Sequence, residues 1–64
     1  QGANAKLCKV LDYDAVKSVE DNFVRITWLD ADRSLMLTIC TTNVAEDLVD
    51  VFATSTAKLI DESL

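Results

Sequence analysis

Sixty-four residues, eleven of them acidic and six basic, carry a net charge of −5. Nucleic acid or an anionic membrane would repel such a chain unless its cations clustered, and they are scattered from Lys6 to Lys58. The lack of histidine and the single glycine, Gly2, remove the commonest acid–base group and metal ligand, together with any glycine-rich phosphate loop.

Half the residues are hydrophobic and none is proline, the composition of a chain that folds. Residues 1–64 are expected to form one small domain or a fragment of a larger one. At this size apolar burial and ordering entropy nearly cancel, so a second chain or a complementing segment is expected to supply part of the core. The apolar runs are too short to span a bilayer, and no charged start precedes an apolar stretch. The expected location is cytoplasmic, with membrane contact only through partners.

In chain order, residues 1–5 are expected to be a frayed end or a cloning remnant. Lys6 to Tyr13 is short and rich in large apolar residues, which predicts a strand. Asp14 to Asn22 is polar and predicts a loop. The same stretch, residues 6–22, also fits a helix through Val16 and Val19, with Asp14 as its N-cap. Phe23 to Leu29 alternates, with Val24, Ile26 and Trp28 on one face, the period of a half-buried strand. Asp30 to Ser34 supplies turn chemistry. Leu35 to Thr41 alternates again, Leu35, Leu37 and Ile39 against Met36, Thr38 and Cys40, so the two runs predict an antiparallel hairpin.

In the last third, Val44, Ala45, Leu48, Val49, Val51, Phe52, Leu59 and Ile60 recur at spacings of three and four. They predict a helix of about five turns with one face on a core. Asn43, or Thr42 before it, is the expected N-cap, with Glu46 completing a capping box. The fold class is therefore α+β: a small antiparallel sheet of a strand plus a hairpin, covered by one long C-terminal helix.

Catalysis is not expected. Cys8 and Cys40 lack a histidine partner and are expected to be reduced thiols. Asp12, Asp14, Asp30 and Asp32 fall in turns without the further ligands and glycine of a calcium loop, so neither metal nor other cofactor is expected. Asp47 and Asp50 are expected on the solvent face of the helix, and Asp61 and Glu62 at a fraying end. Trp28 reads as core and Tyr13 as a half-buried structural residue. Met36 and Cys40, together with Val49, suggest that both faces of the hairpin meet apolar surface.

Three stretches carry a family resemblance: Phe23 to Trp28, Leu35 to Thr42 and Asn43 to Asp50. Together they resemble the end of the third lobe of a FERM domain, the PH/PTB-like lobe of the focal adhesion kinase and talin families. The resemblance spans residues 6–62 and makes Lys6 to Tyr13 the fifth strand of a partial barrel. It implies a non-catalytic protein-binding module of a cytoplasmic adaptor or kinase in adhesion and cytoskeletal signalling. A peptide would add as an extra strand beside Leu7, Lys9, Val10 and Leu11. Val49, Phe52, Ala53 and Thr56 of the helix would wall the groove. The alternative is a small self-associating α+β protein whose core is completed by homodimerisation through the hairpin or the helix.

Overall fold

The computed structural model describes residues 5–63. Four strands follow one another, β1 (Ala5–Val10), β2 (Tyr13–Glu20), β3 (Phe23–Asp30) and β4 (Leu35–Thr42), and then one helix, α1 (Glu46–Ser63). Each strand pairs antiparallel with its neighbour in sequence, giving an open sheet of order β1-β2-β3-β4. The class is α+β. The expected frayed end at residues 1–4 lies outside the described residues, whereas Ala5 already belongs to β1.

The sheet holds four strands where the sequence predicted three. The segment expected to be a loop, Asp14 to Asn22, is mostly β2, and neither it nor residues 6–10 are helical. The strand predicted to run on to Tyr13 stops at Val10, and Tyr13 pairs back with Val10 across a two-residue loop, Leu11-Asp12. An equally short loop, Asp21-Asn22, joins β2 to β3. The first residue of each loop takes a positive φ, 56° at Leu11 and 51° at Asp21, the left-handed setting that tight hairpins favour. The β3–β4 turn is longer. It is tied by the Arg33 N–H donating to the Asp30 carbonyl at 3.2 Å, and it ends on Ser34 at φ 57°.

The expected hairpin forms. Val24, Ile26 and Trp28 are buried on one face of β3, with Trp28 opposite Leu37 and Ile26 opposite Ile39 on β4. Val10 and Ala15 join them from β1 and β2, while Val49, Ala53 and Ala57 complete the core from α1. The helix has about five turns, as predicted, but it buries a different stripe. Leu48, Val51, Phe52 and Leu59 are exposed, and alanines make the contact. Small side chains at positions spaced by four let the helix backbone approach the sheet closely.

The cap also differs. Ala45 holds the N-cap position, its carbonyl accepting from the N–H groups of Leu48 and Val49 at 3.0 and 3.2 Å. Asn43 instead sits at φ 64°; its N–H donates to the Asn22 carbonyl at 2.7 Å, and its side-chain oxygen accepts from Asn22 Nδ2 at 2.8 Å. It is a clasp between two loops, and Glu46 is free to serve elsewhere.

Candidate interaction surface

Among the described residues two strands have a neighbour on one side only, β1 and β4. On β1 the alternation sends Leu7 and Lys9 outward and Cys8 and Val10 towards the helix. Leu7 is 88% exposed. Leu11 follows as a partly exposed loop residue. Val10, Val49 and Ala53, expected to line a groove, lie in the core and present no surface to a ligand.

Phe52 and Thr56 are not beside β1 either. Asp50 of α1 meets Lys17 of β2, and residues two apart on a helix point about 160° apart. Phe52 therefore leaves the opposite flank. The fold brings Leu7, Lys9 and Leu11 together along one edge and separates them from the helix residues expected to share their groove.

Two charged clusters fasten the helix instead. At its start, the Lys17 ammonium reaches Asp50 at 2.8 Å and Glu46 at 2.9 Å, and Lys6 adds a longer contact to Glu46 at 3.4 Å. Lys17 is buried, which opposes its charge, but the hydrogen bonds to Asp50 and Glu46 outweigh that and raise its pKa above 10.5. Pairing with Lys17 lowers that of Glu46.

At the other end Asp30, only 1% exposed, accepts from the Arg33 guanidinium at 2.7 Å. Tyr13 donates its hydroxyl to Asp61 at 2.8 Å, and Arg33 reaches the same carboxylate at 3.1 Å. Burial works against the Asp30 charge, yet the bonds from Arg33 hold its pKa below the ordinary value. The hydrogen bond to Asp61, helped by burial, raises that of Tyr13. Asp50, expected on the solvent face, and Asp61, expected at a fraying end, are instead the helix's anchors, and the helix end is tied down at Asp61. Beside this cluster an open cavity of about 690 Å³ is lined by Leu11, Tyr13, Lys58 and carboxylates including Asp12 and Asp32.

Of the residues that sequence reasoning missed, Asp30 was findable, since it continues the inward series Val24, Ile26, Trp28 at a spacing of two. Lys17 gave no such signal. Cys8 faces the helix and Cys40 the opposite face at the far edge of the sheet, so the two thiols are free and cannot meet. Burial raises the pKa of Cys8, with Lys17 pulling partly the other way, which keeps it a protonated, weak nucleophile at neutral pH. The described residues hold no group of three or more His, Cys, Asp or Glu placed to bind one metal ion. No helix among them is long and apolar enough to cross a membrane. Comparisons with known protein families, with characterised proteins and with solved structures give no match to this chain.

Proposed function

We propose that the chain is a non-catalytic protein-interaction module that takes an extended partner segment as an added strand on β1. This is the mode of binding that the FERM third-lobe resemblance implies. One observation carries the reading: among the described residues β1 pairs with β2 alone, and Leu7 stands almost fully in water on the strand that would receive the segment. Backbone groups along such an edge supply affinity, and the side chains beside it supply selectivity.

Lys6 and Lys9 give the edge its chemical preference. Both are exposed, and their present partners, Glu46 for Lys6 and Asp14 for Lys9, are surface pairs. Such pairs contribute little and exchange easily. The partner is therefore an extended peptide with an apolar residue to cover Leu7 and acidic residues to take the two lysines. The adaptor or kinase setting follows from the resemblance and is part of the proposal.

Selection from a displayed random-peptide library, followed by amide chemical-shift mapping, tests it. Enriched peptides should be acidic and should move the Leu7 and Lys9 amides most, and Leu7→Lys should weaken them about tenfold or more. Enriched peptides that leave β1 unperturbed would overturn the reading.

A further inference from the structure

We infer that a second copy of this chain docks on the other edge, β4 against β4, antiparallel about a two-fold axis at Thr38, with the uncharged flanks of the two helices meeting above the joined sheet. This surface is separate from β1 and does not depend on the reading given for it.

The two edges differ in kind. Lys6 and Lys9 flank β1, so that edge admits only a strand that brings acidic residues to them, and a second acidic copy of this chain is not such a strand by its β4. β4 reads Leu-Met-Leu-Thr-Ile-Cys-Thr-Thr over eight residues, with no charge, proline or glycine. That is the composition of a strand that pairs on both sides. Its inward residues Leu35, Leu37 and Ile39 are only partly covered by α1.

The helix repeats the division. At about 100° per residue its six charges, from Glu46 to Glu62, fall within an arc of roughly 160°. Contacts of Asp50 with Lys17 and of Asp61 with Tyr13 turn one edge of that arc towards β1 and β2. The remaining flank, on the β4 side, carries Leu48, Phe52, Ser55, Thr56 and Leu59 at spacings near 3.5. Leu48, Phe52 and Leu59 are 50, 45 and 63% exposed there.

The lack of charge on β4 and on this flank, together with the register, fits a second copy as the occupant. Two chains of −5 repel at a distance, so stable contact needs a surface free of charge, and β4 with this flank provides one. Side chains directly opposite in an antiparallel pair share a face. With the axis at Thr38, Leu37 meets the second copy's Ile39 on the helix side, and Met36 meets the second copy's Cys40 on the other. Thr38 meets its own equivalent, continuing the rung in which Thr27 Oγ1 and Thr38 Oγ1 already lie 3.1 Å apart. Apolar meets apolar on both faces.

Sedimentation equilibrium over a concentration series, with circular dichroism on the same samples, is the first test. The wild-type chain should dimerise. Thr38→Arg sets two cations face to face on an exposed position and should weaken the dimer by more than about tenfold without loss of fold. In Met36→Cys, oxidation should join the new thiol to Cys40 of another chain, because within one strand the two positions lie about 13 Å apart, beyond disulfide reach. That link should vanish when Cys40→Ser is added. A wild-type chain that stays monomeric, a Thr38→Arg dimer of unchanged strength, or a dimer that Met36→Cys does not link overturns the inference.

Discussion

Lys17 occupies an inward position of β2 at 7% exposure, where a small sheet would ordinarily place a valine. Its two carboxylate partners are each more than a third exposed, so the pairing is lopsided: removing the cation returns two acids to water, whereas removing the acids strands a buried ammonium. Lys17→Met should change the unfolding free energy by less than about 1 kcal/mol, and Glu46→Ala/Asp50→Ala should cost more than that, as urea denaturation would measure. The pH dependence has a definite sign. Because pairing raises the Lys17 pKa, its contribution is complete below 10.5 and is lost as pH climbs through the higher folded value. Glu46 and Asp30 are lowered from 4.5 and 3.8, so their contributions hold above those values and are lost as pH falls through the folded ones. Stability should therefore fall on the acid side below about pH 4.5, and on the alkaline side from about pH 9 upward, where Cys8 and then Tyr13 act before Lys17, and Lys17→Met should weaken the alkaline limb without removing it. Among the turn residues, Ser34 holds a left-handed φ of 57°. Ser34→Gly should raise the melting temperature, by an amount equivalent to up to about 1 kcal/mol.

Among the elements, the β3–β4 hairpin was legible because its alternation is honest: Val24, Ile26 and Trp28 are apolar and buried, and their neighbours are not. β2 was illegible for a physical reason. It buries Lys17 and exposes Val16, so the hydropathy of its centre runs opposite to the side-chain directions, and a paired cation in the core hides the period of two. The helix was legible in length but not in orientation. Leu48, Phe52 and Leu59 outweigh alanine in any count of apolar residues, yet Val49, Ala53 and Ala57 are the residues on the sheet, since close approach selects small side chains. Ala53→Leu tests this directly: it improves apolar content but should destabilise by about 1–3 kcal/mol through overpacking, read as a lower thermal midpoint. The binding groove expected between β1 and the helix was lost to the same misorientation, because Phe52 and Thr56 follow the helix to its other flank.

At the scale of the molecule, the sheet has two edges of opposite character, and the paired edge ties stability to concentration. The thermal midpoint of the wild-type chain should rise with chain concentration, and that of Thr38→Arg should not. The strand order has a further consequence, in time. Every strand pairs with the one made just before it, so the contacts are local and the sheet is quick to form. During synthesis β4 is finished before α1 emerges, and for that interval the unguarded edge and the apolar inner face are bare together. Neighbouring chains on one message then meet the surfaces that finished chains are proposed to share, with no helix to limit stacking to two. On this view α1 acts as a late-arriving cover that converts open-ended growth into a closed pair. A chain ending at Thr42 should accordingly form thioflavin-positive fibrils under conditions in which the 64-residue chain stays dispersed.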